Sequence, residues 1–196
     1  MKQDGTNTRR SLIILRAAEI MRAHGYAGAS MRDIAQAVGM EVSSLYNHIS
    51  SKHDILASIC FSIGDEYISG LDFILDRESS FLEKLSDIIG LHIDLAARHK
   101  DLMIVFEEEW KHLQDEDLKK FKGMRAYYEK RLEKFFCSGV EKGEFRQIKH
   151  RTMLLTFLSS IKWLNFFFKD KKNYDIAVLK REIVAIISRG LLAGPH

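Results

Sequence analysis

The segment from Ser30 to Lys52 reads SMRDIAQAVGMEVSSLYNHISSK, and its pattern decides the fold of the N-terminal part of the chain. Ser30 and Asp33 have the Ser-x-x-Asp spacing of a capping box, which predicts that a helix begins here. Apolar residues then recur at helical spacing, and Gly39 follows the last of them, where a left-handed turn residue commonly ends a helix. A second apolar stripe follows the turn: Val42, Leu45 and Ile49. The segment therefore predicts two short helices joined by a tight turn.

The outward side chains of the second helix are mostly short and hydrogen-bonding, which suits a helix that enters the major groove of DNA and reads base edges. An asparagine can pair with adenine through two hydrogen bonds, and a valine can contact a thymine methyl. The base-reading candidates are Val42, Ser43, Ser44, Asn47 and His48. The phosphate-binding candidates, some of them beside helix N-termini, are Ser30, Arg32, Tyr46 and Lys52. Spacing alone also leaves open a purely structural pair of amphipathic helices.

The same segment resembles the DNA-binding domain of the TetR/AcrR family of bacterial transcriptional regulators. The shared positions are Ser30-Met31-Arg32-Asp33-Ile34-Ala35, Val38-Gly39-Met40, Leu45-Tyr46-Asn47-His48-Ile49 and Ser51-Lys52. The departures from the family pattern are Ser30 for Thr, Glu41 for Ser, Ser43 for Gly and Ile49 for Phe. Among these, Glu41 adds a carboxylate close to where phosphates are expected. The resemblance implies a homodimeric repressor that binds double-stranded DNA at a palindromic operator.

The bulk composition is typical of a helical protein inside the cell. The chain has 196 residues, enough for one or two domains, and Pro195 is its single proline, so helices can run almost throughout. The net charge of +3 is only weakly basic, which fits a small DNA-binding head joined to a larger domain. Cys60 and Cys137 are too few for a disulfide framework. Since no signal peptide is recognisable either, we expect a cytoplasmic protein.

The whole sequence predicts an all-α fold of about nine helices in two domains. A three-helix helix-turn-helix domain occupies residues 1–50, and an effector-binding and dimerisation domain occupies residues 51–196. Outside the reading helices, the predicted helices cover about residues 8–24, 51–77, 80–99, 102–113, 115–142, 149–169 and 175–192. The predicted N-caps of the later helices are Ser80, Asp101, Asp115 and Asp175.

The last two predicted helices are unusually apolar. Residues 153–168 are apolar on nearly all sides, and residues 176–191 are similarly rich. A membrane span is disfavoured because the first run is short and contains Lys162, Asn165 and several hydroxyl residues. Helices with wide apolar surfaces are expected where a subunit packs one side in its own core and the other against a second copy. The family resemblance implies the same arrangement, a four-helix dimer bundle.

The C-terminal region is rich in aromatic residues and carries no recognisable enzyme signature. It has no glycine-rich phosphate loop, no Gly-x-Ser-x-Gly elbow and no His-Glu-x-x-His, so we expect no catalytic residues and no cofactor. Ordinary core packing explains most of the aromatic residues, whereas the family resemblance implies an effector pocket between the middle helices. The predicted effector-binding residues are His92, Phe106, Trp110, Tyr127, Tyr128, Arg131, Phe157, Trp163 and Phe167.

A metal site is not expected from the histidines. Glu108 and His112 share one helix face at i and i+4, and His92 and His99 are seven residues apart, but no compact set of ligands recurs. We therefore interpret Glu108 and His112 as a surface ion pair.

A narrower resemblance concerns the effector. Residues 107–113, 125–128 and 139–146, with Trp163, are similar to TetR-family regulators of fatty-acid, steroid and aromatic-acid breakdown, which respond to acyl-CoA thioesters. This resemblance implies an apolar tunnel for the acyl group, with Arg125, Arg131 and Lys162 as candidates for binding the phosphates of coenzyme A. A drug-like or other hydrophobic effector is the main alternative. A helical carrier, an enzyme that uses the aromatic cavity and an architectural scaffold are alternatives from other classes.

Overall fold

The computed structural model describes residues 3–168 and 175–192, and its description of side chains begins at residue 8. The described residues form ten α-helices and one 3-10 turn and contain no β-strand, so the all-α prediction is confirmed. The helices are α1 (Gln3–Gly28), α2 (Met31–Ala37), α3 (Val42–Leu45), α4 (Lys52–Asp76), α5 (Phe81–Arg98), α6 (Lys100–Glu108), α7 (Asp115–Glu141), α8 (His150–Ile161), α9 (Leu164–Phe167) and α10 (Ile176–Leu191), with the 3-10 turn at Trp110–His112. None of the described helices is both long enough and apolar enough to cross a lipid bilayer.

The described chain divides into two compact units. The first unit contains the residues up to Gly64 together with His99–Phe121, and the second contains Asp65–Arg98 together with the described residues from Lys122 onward. The divisions between the units fall inside α4, between α5 and α6, and inside α7. The predicted domain boundary between residues 50 and 51 stays a prediction, because it concerns independent domains rather than compact units.

The core of the first unit joins the three N-terminal helices to α4 and α6. Helix α1 packs against α2 and α6, and α2 packs against α3. Each buried Ile, Leu or Met side chain stabilises the fold by about 1.5–3 kcal/mol. The fully buried side chains include Ile13, Met21, Ile34, Leu45, Ile49, Ile55, Leu56, Met103 and Val105. Because residues of α6 share this core, that helix is structurally part of the N-terminal unit.

The predicted N-caps at three helices are confirmed. Ser30 and Asp33 form both hydrogen bonds of a capping box at α2. Ser80 and Glu83 do the same at α5, with Glu83 N donating to Ser80 Oγ over 3.2 Å and Ser80 N donating to Glu83 Oε2 over 2.8 Å. The Asp175 carboxylate accepts from the first amides of α10 at 2.9 and 3.1 Å. These side chains satisfy amides that a helix leaves without partners.

Several predicted helix ends were wrong. Helix α1 begins at Gln3 instead of residue 8, since no proline interrupts the chain there, and it kinks at Gly25 (φ 71°). Asp101 does not cap α6, because its carboxylate binds the Arg22 guanidinium at 2.7 Å and the helix begins at Lys100. Asp115 is the first residue of α7 instead of its cap and has a left-handed φ of 46°.

The predicted single helix over residues 149–169 is divided into α8 and α9. The Trp163 indole Nε1 donates to the Ser160 carbonyl at 2.7 Å and so occupies the acceptor that the helical amide four residues later would use. The amides of Asn165 and Phe166 accordingly bond to carbonyls three residues back. This tightening ends α8 at Ile161. The predicted helix end at residue 169 lies outside the described residues.

The core of the second unit is one continuous apolar cluster. Helix α5 packs against α9 and α10. The buried side chains include Leu85, Ile88, Ile89, Ile93, Leu132, Phe136, Phe145, Met153, Leu154, Phe157, Leu179 and Ile183. Gly139 in α7 leaves the space into which the Phe145 ring packs, because a Cβ atom at this position would overlap that ring. Close packing of this kind tolerates little added volume.

We expect Gly139→Ala to lower the free energy of unfolding by about 1–3 kcal/mol, because the methyl group would displace the Phe145 ring. Thermal unfolding should show a decrease in Tm of about 2–4 °C per kcal/mol. Gly123→Ala is the matched control, since Gly123 also lies in α7 and has open space where its Cβ would be. This control should leave stability unchanged or raise it by up to about 1 kcal/mol. Equal effects of the two substitutions would contradict this account of Gly139.

Candidate nucleic-acid interface and effector site

Local hydrogen bonds fix the start of α2 and the turn that joins α2 to α3. The Ser30 hydroxyl accepts from Asp33 N at 3.2 Å, and the Asp33 carboxylate accepts from Ser30 N at 3.1 Å. The Ser30 hydroxyl also donates to that carboxylate, and these bonds hold the pKa of Asp33 below its ordinary value. Gly39 has a φ of 65°, and Met40 N bonds to the Ala35 carbonyl at 2.9 Å. The start of α3 is thereby held in a defined direction from α2.

The predicted base-reading residues, together with the phosphate-binding candidate Tyr46, divide into an exposed group and a half-buried group. Ser43, Tyr46 and Asn47 are exposed, and Tyr46 keeps 52% of its surface accessible. Val42, Ser44 and His48 are half-buried. The helix itself ends at Leu45, and Asn47 and His48 lie in the turn that continues it. The exposed group forms the face that can approach base edges in a groove.

His48 is placed differently from the other base-reading candidates. Its Nδ1 atom is buried, and the described residues give it no hydrogen-bond partner. The sequence pattern predicted an outward-facing side chain, whereas the ring is half-buried beside a helix end. A contact between His48 and DNA stays a prediction.

Lys52 binds the end of α1. Its ammonium donates to the Tyr26 carbonyl at 2.7 Å and to the Ala29 carbonyl at 2.8 Å, and it lies 4.4 Å from the centroid of the Tyr26 ring. A cation at a helix C-terminus is favourable because the last carbonyls carry partial negative charge. Neutral carbonyls do not cancel the charge of Lys52, so its predicted attraction for DNA phosphates is compatible with this position.

The N-terminus of α4 is held by a second set of polar contacts. Asp54 N donates to Ser51 Oγ at 3.0 Å, and the Asp54 carboxylate accepts from Ser50 N at 3.2 Å. The Arg10 guanidinium pairs with the same carboxylate at 2.9 Å and donates to Ser58 Oγ at 2.8 Å. Arg10 therefore joins α1 to α4, the helix that follows α3 in the chain.

Two histidines connect the reading region with α7 and the 3-10 turn of the first unit. The Tyr26 ring, which lies against Lys52, stacks on the His112 ring with centroids 5.0 Å apart and planes 20° apart. His53 Nε2 lies 2.9 Å from Asp117 Oδ2. Residues 52 and 53, at the start of α4, are thus linked to the segment that precedes and begins α7. A shift of that segment would act directly on the end of α1 and the start of α4.

In the second unit, three of the predicted effector residues come together. His92 Nε2 lies 2.8 Å from the Tyr128 hydroxyl, and the centroid of the Phe157 ring is 6.1 Å from that of His92. Tyr67 packs on His92 from another side, with centroids 4.8 Å apart. Burial lowers the pKa of His92 to about 3 and raises the pKa of Tyr128. Both groups are therefore neutral near pH 7.

The other predicted effector residues in the second unit have partners of their own. The Arg131 guanidinium binds the Asp72 carboxylate at 2.7 Å and the Asp76 carboxylate at 2.8 Å. The Tyr127 hydroxyl donates to Asp72 at 3.0 Å. The Trp163 ring contacts Phe167 edge to face at 5.2 Å. Phe106 and Trp110 belong to the first unit, where both pack on Phe121.

The histidines do not assemble a metal site within the described part of the chain, where no three His, Cys, Asp or Glu side chains could share an ion. His112 Nε2 lies 3.3 Å from Glu109 Oε2. The sequence predicted Glu108 as its partner. The difference arises because the chain tightens into a 3-10 turn after α6, and this geometry aligns residues three positions apart.

Sequence reasoning did not single out Tyr26, Tyr67 and Asp72. Lys52 and Tyr26 are 26 positions apart, His92 and Tyr128 are 36 apart, and Tyr127 and Asp72 are 55 apart. Local periodicity carries no information about pairs this distant, and Tyr26 takes part through its backbone carbonyl as well as its ring. The capping residues, whose partners lie three positions away, were accessible to such reasoning.

Two family models match most of the chain. The model for bacterial regulatory proteins of the tetR family matches residues 13–59, which contain α2 and α3. The model for the tetracyclin repressor-like C-terminal domain matches residues 78–191.

The chain is similar in sequence to proteins named HTH-type transcriptional repressor KstR2. The KstR2 of Mycolicibacterium smegmatis is 23% identical over 186 residues, which cover 94% of this chain and 91% of the relative. The KstR2 of Mycobacterium tuberculosis is 21% identical over 160 residues, which cover 81% of this chain and 80% of the relative.

Two solved structures share the fold. One is the ketosteroid transcriptional regulator KstR2 of Mycobacterium tuberculosis, with a TM-score of 0.88 and 18% identity over 95% of this chain and 96% of that chain. The other is AibR in complex with isovaleryl coenzyme A and operator DNA, with a TM-score of 0.78 and 24% identity over 91% of this chain and 97% of that chain. At these identities, the likeness concerns the fold.

We expect Asn47→Ala to weaken binding to a specific palindromic site by about 1–3 kcal/mol, because an exposed amide that pairs with a base is lost. Binding to random DNA should change little, since that binding depends on phosphates. The specific site can be obtained by selection from random duplexes, and affinities can be measured by fluorescence anisotropy at fixed salt. Gln147→Ala, a truncated exposed amide in the second unit, is the control. An equal loss on specific and random DNA would exclude Asn47 as a base reader.

Proposed function

Since the chain belongs to the TetR family of bacterial transcriptional regulators, we propose that it is a homodimeric repressor that leaves a palindromic operator when a hydrophobic effector binds. It is a DNA-binding regulator and not an enzyme. The effector that we propose is an acyl-CoA thioester, and the site of action is DNA in the cytoplasm.

The observation that carries this proposal is the exposed face of Ser43, Tyr46 and Asn47 on and after α3, which follows a helix that begins with a complete capping box. The side chains that could approach base edges are free of the core, while Leu45 and Ile49 behind them are fully buried. A recognition helix needs this combination, because its outer residues must reach the groove while its inner face keeps its direction. The tetR-family model covers these same residues.

Dimerisation through the last helices is supported by apolar side chains that the described chain leaves uncovered. Helices α8 and α10 expose Leu155 (49%) and Ile186 (73%), and Ile176 and Phe166 are about 40% exposed. Exposed apolar residues on neighbouring stretches of the chain, here α8, α9 and α10, are typical of an interface between subunits. A two-fold dimer would present two reading helices about 34 Å apart, one turn of DNA, which matches a palindrome.

Two observations support an acyl-CoA effector: the aromatic side chains that meet in the second unit, and a solved structure of similar fold that contains an acyl-CoA. AibR binds isovaleryl coenzyme A together with operator DNA. His92, Tyr128 and Phe157 lie close together here and can line a space for an acyl group. Arg131 is held by two carboxylates, whereas Lys162 is exposed on the turn after α8 and is available to the phosphates of coenzyme A.

The effector signal would reach DNA by a shift between two populations of the dimer. Helix α4 contributes residues to both units and carries Lys52, which binds the end of α1. The stacked pair of Tyr26 and His112 connects that same end to the 3-10 turn. Movement of these segments would change the spacing of the reading helices. In one of the two states the reading helices would be too close together or too far apart to fit the operator. An effector whose affinity for that state is about a hundredfold higher, a difference of a few kcal/mol, would release the operator.

The effector proposal predicts that acyl-CoA thioesters raise the Tm of the protein and displace operator DNA. Affinity should rise by about fourfold per added methylene, or about 0.8 kcal/mol, until the pocket is full. Thermal shift and anisotropy competition over a chain-length series measure both effects, with free coenzyme A and free fatty acids as controls. Stabilisation by drug-like hydrophobic compounds but by no acyl-CoA would contradict the proposed effector and leave the repressor in place.

The dimer proposal predicts that Ile186→Glu gives monomer, because a charge would be placed on the most exposed large apolar side chain of α10. Operator affinity should then fall steeply, since binding to two half-sites is lost. Analytical ultracentrifugation measures the first effect and anisotropy the second. Phe73→Glu, a charge on an exposed side chain of α4, is the control and should leave the dimer intact. A stable wild-type monomer at micromolar concentration would exclude this interface.

A further inference from the structure

Residues 34–51, which run from within α2 to the residue before α4, carry a single charged side chain. They contain no lysine, arginine or aspartate, and with histidine counted as neutral Glu41 is their only charge. Glu41 is exposed and occupies the N-cap position of α3, but its side chain makes no capping hydrogen bond. A carboxylate thus stands at the N-terminal end of the reading helix, and recognition helices contact base edges from that end.

Glu41 differs from the two carboxylates that flank this stretch, because both of those are used inside the protein. Asp33 accepts from the amide and the hydroxyl of Ser30 at 3.1 and 2.6 Å. Asp54 pairs with the Arg10 guanidinium at 2.9 Å. Within the described part of the chain, the Glu41 carboxylate has no hydrogen bond or ion pair, so its acceptor positions remain available to a bound molecule.

A carboxylate at this place opposes DNA binding unless the complex gives it a donor. DNA phosphates repel it, and no cation within residues 34–51 offsets its charge. Closing the interface would also remove its hydration, which is costly for a charge that gains no partner. We propose that Glu41 is a base reader that selects a cytosine in each half of the operator. The inference rests on the proposed binding to a palindromic operator and adds a residue that determines its sequence.

Cytosine is the base whose edge suits a carboxylate, which can only accept hydrogen bonds. In the major groove, cytosine presents its N4 amine as a donor, whereas thymine presents O4 and guanine presents O6 and N7, all of them acceptors. Adenine offers the N6 amine, but the acceptor N7 lies beside it and the paired thymine adds O4. Glu41 therefore gains a charge-assisted hydrogen bond at cytosine and meets lone pairs at guanine and thymine.

The other exposed candidates of the reading helix discriminate less strictly. The Ser43 hydroxyl and the Asn47 amide can each donate as well as accept, so each can adapt to more than one base edge. Glu41 cannot adapt in this way, since a wrong base leaves its charge without a donor. Glu41 thus supplies rejection of wrong bases in addition to attraction for the right one.

The test is the selection of binding sites from random duplexes by the full chain, with affinities then measured by fluorescence anisotropy at fixed salt. We expect one position in each half-site at which cytosine is required. Changing that cytosine to thymine in one half-site replaces the amine by a carbonyl and should weaken wild-type binding about 5- to 100-fold. A selected site without a required cytosine would overturn the inference.

The variant Glu41→Gln keeps the length of the side chain and removes its charge. Because a glutamine amide also donates, the loss on changing cytosine to thymine should fall below about threefold, while the requirements at other positions stay the same. Affinity for random DNA should rise about two- to fivefold, since the repulsion by phosphates is relieved. Glu144→Gln is the matched control, because it removes the same charge from an exposed residue of the second unit, and it should change neither result.

An unchanged requirement for cytosine in Glu41→Gln would overturn the inference even if affinity for random DNA rises, because Glu41 would then only weaken DNA binding in general. In that case the operator-binding repressor stands and the base-reading role is wrong. If the wild-type protein enriches no sequence at all, the proposed operator binding is contradicted and the inference falls with it. The exposed position of Glu41 and its lack of a capping bond favour an intact fold in the variant, which its Tm checks.

Discussion

The contact on which the N-terminal unit depends is the ammonium of Lys52 at the end of α1. Two carbonyls of that end, those of Tyr26 and Ala29, accept from it at 2.7 and 2.8 Å. These carbonyls would otherwise lack helical partners, and the cation offsets their partial negative charge. Because Lys52 is the first residue of α4, its side chain connects α1 directly to α4. The direction of α3 relative to α4 is set within this frame.

The same contact explains why α6 and the 3-10 turn belong to the first unit. The Tyr26 ring that receives Lys52 also stacks on His112, and Arg22 on α1 pairs with Asp101 on α6 at 2.7 Å. A segment that follows α5 in the chain is thereby packed against the first helix. Regulation requires an element with two positions, and a change of position must alter the affinity for both the effector and DNA. In the proposed mechanism, the packing of α1 against α6 would serve as this element.

The sequence predicted features that depend on neighbours within four positions and could not predict those that depend on distant partners. The capping boxes at Ser30 and Ser80 follow from a fixed local spacing, and the structure confirms both. The break after α8 was not foreseen, because an apolar run looks helical throughout while the Trp163 indole competes for a backbone carbonyl. The sequence shows that the C-terminal region is rich in aromatic residues, but only the structure shows which of these side chains are in contact.

The proposed response to a hydrophobic effector has an energetic consequence. Affinity for an effector comes mainly from apolar contact, which is large but discriminates poorly between hydrocarbons of similar size. Switching needs only a difference in affinity between two states of the protein. Apolar contact can therefore produce the response whenever it is more extensive in one state of the protein than in the other.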